Sequence, residues 1–124
     1  MAKNKLTKKH MELVDRLKYA GVDRAVALTL VFVAGKDDAI RTEIEAATGL
    51  KQPEVSIATS YMRDEGWMDK KDRKKEGKGR PVHVYRLSKP FDNILRDIKE
   101  NERARIKEME ENLKKIEELA GSIY

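Results

Sequence analysis

Two histidines and one dense run of cations are the side chains with the most chemical potential in this sequence. The histidines are His10 and His83. Neither stands beside a serine or aspartate in a recognisable triad context, and their spacing resembles no two-histidine metal site. The cations are concentrated in Lys70-Lys71-Asp72-Arg73-Lys74-Lys75-Glu76-Gly77-Lys78-Gly79-Arg80, which holds seven basic and two acidic residues and no apolar side chain. Such a segment cannot enter a core. Its chemistry is that of a polyanion binder: lysines neutralise phosphates and release counterions, which gives affinity without sequence information. Gly79 lets the backbone come close, Pro81 stiffens the entry to a strand, and Arg80 suits a narrow A·T-rich minor groove, where the potential is most negative. The bland alternative is a solvated basic loop that binds nothing specific. Gly77-Lys78-Gly79-Arg80 leads towards a strand, not a helix, so it is not a nucleotide-binding loop.

Apolar β-type stretches flank the run. Trp67-Met68 precede it, and in Val82-His83-Val84-Tyr85-Arg86-Leu87 the valines alternate with His83 and Tyr85 at strand period. Two short strands joined by a long basic loop from Lys70 to Arg80 make a hairpin whose tip reaches into solvent.

Helices precede this hairpin. Leu6, His10, Leu13, Val14 and Leu17 form one stripe over residues 6–19, with His10 packing or facing solvent. Gly21 ends that helix and Asp23 caps the next, whose Ala25 to Ala34 is apolar nearly all round and therefore buried on most sides. A short helix is expected over residues 39–50, with Thr42 and Glu45 as a capping box and Gly49 in the left-handed position at its end. Gln52-Pro53 opens another helix that runs to about Glu65. Val55, Ala58, Thr59 and Met62 are its inward stripe. Gln52, Ser56, Ser60 and Arg63 lie on another face, with Ile57 and Tyr61 between. Ser88-Lys89-Pro90 opens a last helix, and no further proline or glycine occurs until Gly121.

Composition bounds the rest. The 124 residues include no cysteine, which excludes disulfide scaffolds, thiol nucleophiles and cysteine-ligated zinc. Charged residues make up 40%, as do hydrophobic ones, and the net charge is +5. Residues 1–91 carry +7 and residues 92–124 carry −2, a basic body with a mildly acidic tail. Met1 to Lys9 is basic with no apolar run behind it, so no signal peptide is expected, and a cytoplasmic location follows by default. The longest apolar stretch is half the length of a membrane span. No cofactor, metal or catalytic residue is expected, and the chain does not read as an enzyme.

A buried helix, a short helix, a glycine-containing turn, a second helix with a polar face and a basic hairpin come in that order. This order, from about Val22 to Leu87, resembles the winged helix-turn-helix of small bacterial and archaeal transcriptional regulators of the MarR, ArsR and TrmB type. Ile40 to Leu50 looks like the helix and turn of that family. Pro53-Glu54-Val55-Ser56 through Gly66-Trp67-Met68 looks like its recognition helix and first wing strand. Gly77 to Leu87 looks like its second half-wing. Lys78-Gly79-Arg80-Pro81 also resembles the core of an AT-hook. The expected fold is mainly α with a small β-hairpin wing (α+β), with a DNA-binding domain over residues 1–90 and a dimerisation helix over 91–124. Expected contacts to double-stranded DNA are Gln52, Pro53, Ser56, Ile57, Ser60, Tyr61 and Arg63 from the recognition helix, placed in a major groove about 12 Å wide. The wing and the start of the preceding helix add Arg41, Thr42, Lys70, Lys71, Arg73, Lys74, Lys75, Lys78, Arg80 and His83. Ile57 either meets a thymine methyl or packs against a neighbouring helix, and the sequence leaves both open.

The tail has its own pattern. Ile106, Met109, Leu113, Ile116, Ala120 and Ile123 step by 3, 4, 3, 4 and 3, a heptad seam. Upstream, Phe91, Leu95, Ile98 and Glu102 lead into it with a stutter. A homodimeric coiled coil using Leu95, Ile98, Ile106, Met109, Leu113, Ile116 and Ile123 is expected, the alternative being a helix folded back on its own domain. A two-fold dimer would offer two recognition helices to a roughly palindromic site. Two competing functions remain: a sequence-neutral DNA-coating protein, and a winged-helix protein-interaction module. No effector site is legible.

Overall fold

The computed structural model describes residues 5–73 and 82–124. The elements run α1 (Lys8–Tyr19), α2 (Arg24–Ala34), β1 (Ala39–Ile40), α3 (Arg41–Thr48), α4 (Gln52–Asp64), β2 (Met68–Arg73), β3 (Val82–Leu87) and α5 (Phe91–Ile123). This is the expected mainly α chain with a small antiparallel sheet.

Helix α2 is the centre. Every residue from Val26 to Val33 is buried, as its apolar composition requires. Asp23 caps it, Oδ2 accepting from the Ala25 N–H at 3.1 Å. Around it pack Val14 and Leu17 of α1, Ile44 of α3, Val55, Ala58 and Met62 of α4, Trp67 and Met68, Tyr85 of β3, and Ile94 and Ile98 of α5. Helix α1 begins two residues later than its apolar stripe suggests. His10 neither packs nor simply faces solvent: it closes a capping box, its backbone N–H donating to Thr7 Oγ1 while Nδ1 accepts from the Thr7 N–H at 2.9 Å.

Three local expectations are corrected. Ala39 and Ile40 are not the first turn of a helix but a two-residue strand, paired antiparallel with Tyr85 and Val84. Helix α3 therefore starts at Arg41, and its cap is Glu43 Oε1 accepting from the Ile40 N–H at 3.0 Å, not a Thr42–Glu45 box. Glu45 is instead engaged by the Arg41 guanidinium one turn away. The third correction concerns the wing. Lys70 to Arg73 are strand, not loop: β2 pairs with β3 from Met68↔Leu87 to Arg73↔Val82, and the sheet order is β1-β3-β2. An edge strand can be this polar because its partner supplies the apolar side chains, Val84 and Tyr85, both buried.

The last helix spans 33 residues, about 50 Å at the α-helical rise. Its first turns belong to the body: Ile94 and Ile98 are buried in the common core and Leu95 packs against it. Leu95 and Ile98 are thus not part of a free seam, a correction to the dimerisation set. The boundary expected at 90/91 falls beside this packing. Beyond Glu102 every residue of α5 is exposed, so the helix does not fold back on its own domain.

Candidate nucleic-acid interface

The turn between α3 and α4 sets the site. Gly49 adopts φ +77°, a left-handed conformation that favours glycine, and its N–H closes α3 on the Glu45 carbonyl at 2.9 Å. Leu50 is then buried and Lys51 exposed. The Lys51 N–H donates to Glu54 Oε1 at 3.0 Å, and Pro53 stands in the first turn of α4.

Helix α4 divides cleanly. Val55, Ala58, Thr59 and Met62 are buried, the stripe expected from spacing. The opposite face carries Gln52, Pro53, Ser56, Ile57 and Arg63, all exposed, with Ser60 half-buried. Ile57 is 70% exposed, so it does not pack against a neighbouring helix. Tyr61 is different from the rest of the expected set. It is 45% exposed and meets Trp67 edge-on, with ring centroids 5.9 Å apart and planes at 83°. Burial, and secondarily Glu65, push its hydroxyl pKa upwards. Its inner edge lines a cleft of about 200 Å³ with Gly21, Trp67, Ile98, Glu102 and Arg105.

The wing strands place Lys70, Lys71 and Arg73 in solvent. Among the described residues these three make no ion pair. Their acidic neighbour Asp72 is engaged by His83, whose Nδ1 lies 2.6 Å from Asp72 Oδ1 across the hairpin. Arg86 is held by Asp38 at 3.0 Å. Among the described residues the hairpin therefore offers three cations without ion pairs to solvent, while His83 has a structural partner of its own. Lys74, Lys75, Lys78 and Arg80 lie outside the described residues.

The fold brings two sequence-distant groups of expected contacts together. Arg41 and Thr42, at the start of α3, line a cleft of about 320 Å³ with Val82, His83 and Tyr85 of β3. The Arg41 charge is partly balanced there by Glu45. Two residues not picked out from sequence join the surfaces. Lys51 is an exposed cation immediately before Gln52, and its position ahead of the proline was the available signal. Leu119 is 52% exposed beside the tail seam, three residues after Ile116 and four before Ile123, next to the seam position Ala120. The seam itself stands in water: Ile106, Met109, Leu113, Ile116 and Ile123 are 48–69% exposed.

Among the described residues no cluster of histidine and carboxylates is arranged to hold a metal ion, and no helix is long and apolar enough to cross a membrane.

No known family model matches the chain, and no curated protein matches it. Solved structures do. The chain is similar to TrmBL2, described as an archaeal chromatin protein with a novel mode of DNA binding, at 19% identity and a TM-score of 0.60. That match covers 89% of this chain and 40% of the TrmBL2 chain, so the present sequence spans well under half of its relative's length. A further similar structure is Pex from Synechococcus sp., at 22% identity and a TM-score of 0.48, covering 77% of this chain and 96% of that one. At these identities what is shared with TrmBL2 is the fold, and the fold of this chain is a winged helix-turn-helix extended by a long C-terminal helix.

Proposed function

We propose that this protein is a DNA-binding transcriptional regulator that acts as a homodimer. The observation that carries this reading is the pairing of surfaces: the outward face of α4 is bare and carries a polar ridge, and the adjoining wing strand offers Lys70, Lys71 and Arg73, which make no ion pair among the described residues. A major groove admits one helix, and side chains in the N-terminal half of that helix reach base edges. Gln52, Ser56 and Ser60 supply donors and acceptors there. Lys51, Arg63 and the wing cations hold phosphates. The seam of α5 joins two copies through Ile106, Met109, Leu113, Ile116 and Ile123, because five exposed apolar side chains at heptad spacing on one helix need cover.

A second reading is a sequence-neutral DNA-coating protein. The likeness in fold to TrmBL2, described as an archaeal chromatin protein, favours it. Such a protein needs only the wing cations and the dimer. Titration of the protein onto the DNA upstream of its own gene and onto a random duplex, at two salt concentrations, separates the readings. Preference for its own region by about a thousandfold or more is the range of specific regulators. Equal and steeply salt-dependent binding to both is the coating protein. Absence of binding to either at low salt would sink both and leave a protein-interaction module.

A further inference from the structure

The exposed face of α4 is two ridges, not one. Gln52, Ser56 and Ser60 recur every four residues and form a polar ridge that continues to Arg63. Pro53, Ile57 and Tyr61 recur at the same interval and form an apolar ridge beside it. The middle of that second ridge is Ile57, 70% exposed. It contributes nothing to the core, and a β-branched side chain slightly weakens an isolated helix relative to alanine. Folding alone gives no reason for isoleucine here.

Resting on the DNA-binding reading, we infer that Ile57 is a specificity-determining residue that recognises the 5-methyl group of thymine in the major groove. The surroundings select the occupant. Hydrogen-bonding side chains on the adjacent ridge and cations at Lys51, Arg63, Lys70 and Lys71 suit a polyanion with polar base edges. In a major groove the exposed apolar group is the thymine methyl. Pro53, one turn earlier, extends the same ridge and widens the apolar contact. Tyr61 lies against Trp67 at the inner end, which leaves Ile57 as the exposed member centred on the face.

The test uses the full chain and a short A·T-rich duplex, prepared once with thymine and once with deoxyuridine, which differs only by that methyl. Affinities are read by fluorescence anisotropy for the natural protein and for Ile57→Ala. The natural protein should bind the thymine duplex more tightly, by about fourfold for each methyl in contact. Ile57→Ala should bind both duplexes alike, at the strength of the natural protein on deoxyuridine. Its thermal melt should match the natural protein's, because the side chain is outside the core. Adding 5-methyl groups to the cytosines of a G·C duplex should restore part of the preference for the natural protein only. Equal binding of thymine and deoxyuridine duplexes by the natural protein overturns the assignment while leaving DNA binding intact. An equal loss on both duplexes in Ile57→Ala also overturns it, since the side chain would then serve binding in general. Failure of the natural protein to bind any duplex overturns the DNA reading and this inference with it.

Discussion

The indole N–H of Trp67 donates to Asp97 Oδ2 at 3.1 Å, across 30 positions of sequence. Trp67 is buried where α4 gives way to the wing, and Asp97 lies on the part of α5 that packs on the body. The same carboxylate oxygen accepts from Lys89 Nζ at 2.6 Å. One carboxylate thus ties the end of α4, the strand-to-helix junction and the long helix together. A buried indole N–H without an acceptor is costly, so the aspartate also completes the core.

This junction should be pH-sensitive. The hydrogen bond from Lys89 is the main reason the Asp97 carboxyl is held below its ordinary pKa of 3.8; partial burial opposes that shift, while the Trp67 bond and the charges of Lys89 and Arg96 add to it. A carboxyl whose pKa is lowered by folding stabilises the fold above its unfolded value and loses that contribution as pH falls through the folded value. Asp97→Asn keeps an acceptor but removes the charge. Its melting temperature should lie below that of the natural protein at neutral pH, and the gap should close as the pH is taken below about 3.8. Thermal melts of both proteins between neutral and strongly acidic pH measure this. A gap that stays constant would assign the effect to geometry instead of charge.

Gly49 offers a cleaner stability test. Its φ is +77°, yet a Cβ built there meets nothing within 4 Å. Gly49→Ala therefore adds backbone strain without a clash. The expected cost is about 1–2 kcal/mol, the penalty for an L-residue in the left-handed region. Urea denaturation should show a lower midpoint with an unchanged slope. Unchanged stability would mean that the turn relaxes into another conformation.

What the sequence disclosed depended on the range of the interaction. The Asp23 cap, the Gly49 turn and the inward stripe of α4 are set within four residues, so spacing alone reveals them. Strand β1 was hidden because two residues, Ala39 and Ile40, become strand only through Val84 and Tyr85, some 45 positions on. Its formation also moved the α3 cap from Thr42 to the Ile40–Glu43 pair. Lys70 to Arg73 carry no apolar alternation, and only their partner strand makes them β. Leu95 and Ile98 fit a seam as well as a core, and local pattern cannot tell which neighbour covers them. At the candidate interface, residue types and spacing picked out which face of α4 is exposed, but the tie between His83 and Asp72 needed the hairpin register.

Thr29 makes a further prediction from the core. It is fully buried in α2, and among the described residues its hydroxyl finds no hydrogen-bond partner. Thr29→Val replaces the hydroxyl by a methyl of similar shape and removes that desolvation cost. Stability should be unchanged or rise by about 1 kcal/mol. A clear loss in the urea midpoint would show that the hydroxyl has a partner in solution, such as a bound water.

The two halves of α5 should respond oppositely to substitution. Ile98 is buried in the body, so Ile98→Ala should cost about 2–5 kcal/mol of folding stability. Leu113 is 62% exposed and stands outside the packed core of the body. Leu113→Asp should leave the body folded but abolish self-association, since it sets a carboxylate in the apolar seam of each copy. Sedimentation equilibrium reads the mass, and circular dichroism reads the fold. The natural protein should melt at a concentration-dependent temperature and the Leu113→Asp protein at a fixed one. If the natural protein is a monomer throughout, the homodimer is wrong and the seam belongs to another partner.

The wing cations should be visible in the salt dependence of binding. Lys70, Lys71 and Arg73 are exposed and without ion pairs among the described residues, so nothing internal must be broken before they reach phosphate. Each phosphate contact steepens the fall of log affinity with log salt by about 0.9. Lys70→Ala/Lys71→Ala should flatten that slope by about 1.8 per wing engaged, and by the same amount on specific and random duplexes, because phosphates carry no sequence information. Ser56→Glu should behave otherwise. It sets a carboxylate on the polar ridge of α4 against the groove and should weaken binding by an order of magnitude or more, without altering the melt. Titrations at several salt concentrations distinguish the two. An unchanged slope in the double lysine variant would remove β2 from the interface, and unchanged affinity in Ser56→Glu would remove α4.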